Sequence, residues 1–170
     1  MTRTKAPRDG AKHMTMDSPL GPIAVSAVDE GLTYVHMGAE EIDRAWGPEG
    51  ATPVLEAALE QLEAYFAGEL TEFDLPLAAA GTDFQHRVWA ALRAIPYGTT
   101  VSYGDIARRI GNPAAVRAVG LANGQNPIAV VVPCHRVIGS NGKLTGYAGG
   151  VWRKERLLAL ERGETGLFAA

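Results

Sequence analysis

One thiol occurs in the whole chain, and it stands directly before a base and a fixed cation, in the order Cys134-His135-Arg136. A neighbouring imidazole and guanidinium are the two influences that lower a cysteine's pKa and raise its thiolate fraction, so the triplet has the composition of an activated nucleophile. Adjacent residues on an extended chain point to opposite sides. A direct Cys134–His135 hydrogen bond is therefore not expected, and a bridging water would close the gap. Glu161, at the end of the last helical segment, runs against the helix-dipole preference; it is either solvated or has a partner such as a histidine. The competing reading of Cys134 is a small inert core residue among valines.

The elements around this triplet must hold it at the edge of a core. Ile128 to Val132 are all apolar and three of them are β-branched, which predicts a short strand buried on both faces. Pro133 ends any ladder and places Cys134 in the turn that follows. Upstream, Phe84, Val88, Leu92 and Ile95 form a helical stripe that stops at Pro96-Tyr97-Gly98. Ser102 caps a short helix carrying Tyr103, Ile106, Ala107 and Ile110, closed by Gly111. Asn112 and Pro113 open a third helix with Val116 and Val119 as core positions, giving a helix-turn-helix rhythm. Its outer positions are Ala115, Arg117, Ala118, Gly120 and Ala122, small enough either for a nucleic-acid groove or for close helix packing. Downstream, Asn141-Gly142 marks a tight turn, the tip of a wing-like hairpin. Gly146 to Gly150 form a loop holding Tyr147, and a final helix spans Val151 to Arg162, with Lys154 and Glu161 on one face.

The amino-terminal half reads differently. Met14 to Val28 and Gly31 to Met37 suggest a hairpin or meander. Thr52 and Pro53 start a helix with Leu55, Leu59, Leu62 and Phe66 on one stripe and Gly68 as its stop. Phe73 to Leu77 suits an edge strand that tolerates Pro76. Nothing in this half looks catalytic. The expected division is a mobile tail over 1–13, an α/β domain over 14–80, a second domain over 81–163 and a tail over 164–170.

The chain has 170 residues with 46% hydrophobic content, enough for one compact domain or two small ones. A single cysteine excludes internal disulfides and multi-cysteine zinc sites, and the other histidines show no ligand spacing, so neither metal nor cofactor is expected. No apolar run is long enough for a membrane span and no signal peptide is visible, which predicts a cytoplasmic protein. The formal net charge of −3 hides an asymmetry, with −12 over 14–81 and +7 over 82–162. The basic half suggests a polyanionic partner, although attraction between the halves would read the same way.

Three motifs in this order carry a resemblance: Ala115-Val-Arg-Ala-Val-Gly-Leu-Ala-Asn-Gly-Gln-Asn-Pro127, Pro133-Cys-His-Arg-Val137 and Gly146-Tyr-Ala-Gly-Gly150. From about Thr82 to Glu161 the chain resembles the O6-alkylguanine-DNA alkyltransferases. The amino-terminal half is more loosely similar to their ribonuclease-H-like domain. The resemblance implies an α+β protein with a small sheet and helix followed by a winged helix-turn-helix that binds double-stranded DNA in the minor groove and flips out O6-alkylguanine, less so O4-alkylthymine.

By that resemblance Cys134 is the alkyl acceptor, His135 the base acting through water, and Glu161 the carboxylate orienting it. Arg117 takes the vacated place in the base stack, with Ala115, Ala118, Gly120, Ala122, Tyr103 and Arg136 on the DNA side. Tyr103 also rotates the phosphate and donates to the leaving guanine, and Asn126 braces the active-site turn. Tyr147, Ala148, Gly149 and Val137 form the substrate pocket. Transfer would be irreversible and stoichiometric, by a monomer in solution, with clustering on DNA left open. Ala148 stands where some members carry a larger or hydroxylated side chain. The rival readings are an alkyltransferase-like protein that binds lesions without transfer, a hydrolase using Cys134, His135 and Glu161, and a plain winged-helix regulator.

Overall fold

A computed structural model describes residues 5–164, and the chain divides into two compact units after Ala80. The residues expected as a carboxy-terminal tail lie, beyond 164, outside the described residues.

In the first unit, β1 (Lys12–Met16), β2 (Ile23–Val28) and β3 (Gly31–Met37) form an antiparallel sheet in that order. All six residues of β2 are buried, because it is the central strand and both of its faces are covered. On one face lies α1 (Pro53–Phe66), capped by the Thr52 hydroxyl on the Leu55 amide, with Leu55, Ala58, Leu62, Tyr65 and Phe66 buried. On the other, Ala24 packs with Ala39 and Trp46, and the Ser26 hydroxyl donates to the Trp46 carbonyl at 2.8 Å.

Two expectations for this unit need correction. The tail is shorter than expected: Lys12 and His13 already pair with Ala27 and Ser26, so sheet hydrogen bonding captures the end of the segment read as mobile. Phe73 to Leu77 does not form a strand; it touches the edge of β3 through one parallel bridge, Leu32 with Leu77. The Leu32 amide donates to the Pro76 carbonyl at 2.8 Å, and the Ala78 amide to the Leu32 carbonyl at 2.7 Å. That approach is close enough to require Gly31, where an added Cβ would sit 2.5 Å from the Pro76 oxygen.

The second unit begins with α2 (Asp83–Arg93), whose Thr82 and Gln85 form a reciprocal capping box and whose Val88, Trp89 and Leu92 are buried. The strand β4 (Val101–Ser102) leads into α3 (Tyr103–Arg109), capped by a second box between Ser102 and Asp105. Packed on α2 and α3 is α4 (Val116–Gly124). A 3-10 turn, Cys134–Arg136, runs into β5 (Val137–Ile138), which pairs in parallel with β4. The unit ends with α5 (Val151–Glu161). The architecture is thus α+β, a three-stranded sheet with a helix followed by a mostly helical unit.

Here too the sequence reading needs correction. The third helix starts at Val116, not Asn112: Asn112 accepts from the Ala115 amide in a turn, and Val116 is 41% exposed. Around Asn141 the Gly139 amide bonds the Lys143 carbonyl at 3.0 Å, closing the expected turn without a second wing strand. The largest difference concerns Ile128 to Val132. They are buried or half-buried but form consecutive turns rather than a strand, with the Val132 amide on the Ile128 carbonyl at 3.0 Å. Apolar burial was legible, but a strand needs a paired edge. Here the side chain of Asn126 satisfies the backbone instead, accepting from the Ile128 amide at 3.0 Å and donating to the Val132 carbonyl at 2.8 Å. Val130 is the single non-glycine residue with positive φ among the described residues, at 69°, a strained conformation for a β-branched side chain.

Candidate active site

Cys134 opens the 3-10 turn and is only 6% exposed, so its thiol lies just below the surface. Burial is the dominant influence on it and pushes its pKa up, against the opposing effects of the Asn126 side chain and the Lys154 charge. The expected depression by His135 and Arg136 therefore does not occur. The resting sulfur is a thiol, and it needs a base to become a nucleophile.

His135, fully buried, is the nearest such base in sequence. Its Nε2 lies 2.7 Å from Oε2 of Glu161. A carboxylate accepts only, so Nε2 carries the proton and Nδ1 keeps its lone pair. Nδ1 is buried and has no hydrogen-bond partner. Burial lowers the imidazole pKa more than Glu161 raises it. The ring is thus neutral at physiological pH, with a free basic nitrogen.

Glu161 is saturated by a second partner. Arg136 donates from Nε to Oε1 at 2.7 Å and from Nη2 to Oε2 at 3.0 Å, a bidentate pair, and from Nη1 to the Ile95 carbonyl at 2.7 Å. The guanidinium also lies over the Tyr97 ring, 5.6 Å from its centroid. Arg136 is therefore buried and structural, which corrects its placement on the DNA side. A buried carboxylate is tolerable only when so paired.

The burial of a further cation, Lys154, was not expected from the sequence. Lys154 is fully buried, and its Nζ donates to the carbonyls of Val137 at 2.6 Å and Thr145 at 3.0 Å. It ties the loop before α5 to β5 and places a positive charge near Cys134. The signal was the stripe Lys154, Leu157, Leu158, Glu161 on one face of α5. Its spacing was visible, but not the burial of its charged ends.

The remaining residues divide by exposure. Arg117 and Ala118 are exposed on α4, while Ala115 and Gly120 are half-buried. Ala122 is buried, with its carbonyl accepting from the Trp89 indole at 2.9 Å, so it faces α2 and not solvent. The exposed face also carries Val116 and Leu121, which is 64% exposed and was not anticipated. Tyr103 is half-buried at the start of α3, with its hydroxyl 3.5 Å from Thr145 Oγ1. Tyr147 is half-buried and its hydroxyl pKa is raised well above the ordinary value, chiefly by desolvation. Ala148 is exposed, and the half-buried Gly149 accepts from Arg153 at 2.6 Å. Val137 is fully buried and contributes its carbonyl to Lys154. Among the described residues, no three His, Cys, Asp or Glu side chains are grouped to hold a metal ion, and no helix is long and apolar enough to cross a membrane.

Comparison with known proteins covers both units. Residues 83–163 match the family described as 6-O-methylguanine DNA methyltransferase, DNA binding domain. Residues 12–79 match the ribonuclease-like domain of the same family. The chain is 56% identical over 156 residues to the methylated-DNA–protein-cysteine methyltransferase of Mycolicibacterium paratuberculosis, spanning 89% of this chain and 92% of the relative. It is 56% identical over 151 residues to the protein of the same name from Methanosarcina acetivorans, spanning 88% and 97%. Among solved structures, Mycobacterium tuberculosis OGT in complex with DNA superposes with a TM-score of 0.83 at 53% identity, covering 93% of this chain and 99% of that one.

Proposed function

The chain belongs to the O6-methylguanine DNA methyltransferase family, and from that premise we propose that it repairs DNA by moving the alkyl group of O6-alkylguanine onto Cys134. The observation that carries the proposal is the neutral, Glu161-oriented His135 with an unpartnered Nδ1, adjacent to a thiol too buried to ionise unaided. A relative 53% identical is solved in complex with DNA, which supports double-stranded DNA as the partner.

The proposed sequence begins with α4 against the duplex. Small residues let its backbone approach the minor groove, and the exposed Arg117 enters the stack as the damaged nucleotide leaves it. The thiol proton passes through a water to His135 Nδ1, and Glu161 stabilises the imidazolium. Sγ attacks the alkyl carbon in line; the S–C bond forms as the C–O6 bond breaks, and the electron pair remains on guanine. Tyr103 donates a proton to the departing guanine and is reprotonated from the imidazolium or solvent. The product is a thioether, which water does not readily cleave, so each molecule acts once. Such use of an unpaired cysteine fits a reducing cytoplasm.

Titration of a fixed amount of protein with duplex containing O6-methylguanine tests this reading. Repaired guanine should plateau at one equivalent. Continued turnover would favour a hydrolase, and tight binding with no repair would favour a lesion-binding protein.

A further inference from the structure

The Arg136–Glu161 pair behind His135 is reached by one further segment, Ile95-Pro96-Tyr97-Gly98, which joins α2 to β4. Three of its groups converge on the pair. The Ile95 carbonyl accepts from Arg136 Nη1 at 2.7 Å, the guanidinium lies over the Tyr97 ring at 5.6 Å from its centroid, and the Gly98 amide donates to Glu161 Oε1 at 3.5 Å. The segment also runs close to the end of α5: at Gly98, where φ is 79°, an added Cβ would sit 3.1 Å from the Glu161 carbonyl oxygen. Exposure rises outward along this chain of contacts. The side chains of His135 and Glu161 are 0% and 1% exposed, that of Arg136 is 7% exposed, and Tyr97 is half-buried. The phenol is held above its ordinary pKa chiefly by burial and next by the Glu161 charge, with Arg136 opposing, as expected for a ring close to both ions.

We propose that Tyr97 is a positioning residue for alkyl transfer: its ring face holds the Arg136 guanidinium on the Glu161 carboxylate and shields the pair from water, and so keeps Glu161 Oε2 on His135 Nε2. This rests on the alkyl-transfer reading above. The edge of the guanidinium is committed to Glu161 and Ile95, so its plane is held by contact on its face, which an aromatic ring supplies with an attraction that grows as water is excluded. The hydroxyl is not needed for that contact. Without the ring, water reaches the ion pair, the carboxylate gains freedom to turn, and the solvent exclusion that keeps the imidazole neutral weakens. The charges acting on His135 are Glu161 and Lys154 of α5 and Arg136 of its own turn. On α2, which also packs against the turn, the buried residues are Val88, Trp89 and Leu92, none of them titratable. Burial is the largest influence lowering the His135 pKa, so admitting water moves that pKa up toward the ordinary value of about 6.5.

Single-turnover methyl transfer from a duplex carrying O6-methylguanine, followed across stepped pH for wild type, Tyr97→Phe and Tyr97→Leu, tests the assignment. The amount of methyl taken up at the endpoint counts the folded sites, so the rate is independent of any loss of stability. Tyr97→Leu, which fills the space without a π face, should transfer about tenfold more slowly at neutral pH, and the acid limb of its profile should move up by roughly half a pH unit. Tyr97→Phe, which keeps the ring, should retain the wild-type acid limb. A Tyr97→Leu protein that unfolds more easily but keeps the wild-type rate and acid limb would show a purely structural role and overturn the assignment. So would Tyr97→Phe behaving like Tyr97→Leu, since the hydroxyl and not the ring face would then matter. If wild type takes up no methyl, alkyl transfer itself fails, an outcome distinct from transfer with an unmoved acid limb.

Discussion

Glu161 Oε2 lies 2.7 Å from His135 Nε2, with both side chains essentially buried. This contact fixes the tautomer that leaves Nδ1 basic, and the same carboxylate neutralises Arg136. Glu161→Gln should therefore do two things. Alkyl transfer should slow by roughly 100-fold, within the range for general base catalysis. Stability should fall by about 3–5 kcal/mol, because the Arg136 charge is left buried and unpaired. Single-turnover kinetics and denaturant unfolding measure the two effects separately.

The pH dependence follows from His135. Its pKa is held below the ordinary value of about 6.5 by burial, ahead of the opposing effect of Glu161. The transfer rate should stay nearly flat between about pH 7 and 9 and fall only below about 6.5, since thiol and imidazole exchange a proton internally. A rate that rises with free-thiol ionisation would contradict this. The same depressed pKa means that the unfolded state binds the proton first. Its contribution to stability is thus complete above about pH 6.5 and lost as pH falls through the lower folded value, which thermal unfolding at stepped pH would detect.

Arg117 is exposed and distant in role from the chemistry. Arg117→Ala should slow transfer from duplex lesions by roughly 10- to 100-fold, the cost of extruding a base without a replacement in the stack. Reaction with free O6-benzylguanine, which needs no extrusion, should be unchanged.

Asn126 replaces a strand partner for the turn before Cys134, with hydrogen bonds to Ile128 and Val132. Asn126→Ala should destabilise the protein by about 2–3 kcal/mol, the cost of the orphaned buried amide and carbonyl. It should also slow transfer, because the turn carrying the thiol, strained at Val130, loses its brace. Unfolding and single-turnover rates check each arm.

Much of this was legible in the sequence because it depends on local chemistry. Thr52 and Ser102 announce their helices through caps, and the stripes Leu55-Leu62-Phe66 and Val88-Leu92 locate the buried faces. Cys134 and His135 stood out by type and position. What stayed hidden depends on pairing over long separations. That Arg136 turns inward to Glu161 and not outward to DNA requires α5 to return beside the 3-10 turn. That Ile128 to Val132 coil depends on a side chain, Asn126, taking over backbone hydrogen bonds. The burial of Lys154 likewise follows from two carbonyls on another strand and loop.

The most direct test of the account is intact and peptide-resolved mass spectrometry after incubation with a duplex carrying one O6-methylguanine, with Cys134→Ala as the control. The account predicts one added methyl group, located on Cys134, with an equal amount of guanine restored and neither change in the variant. An unmodified protein that binds the lesion tightly, or a methyl group on any other residue, would contradict it.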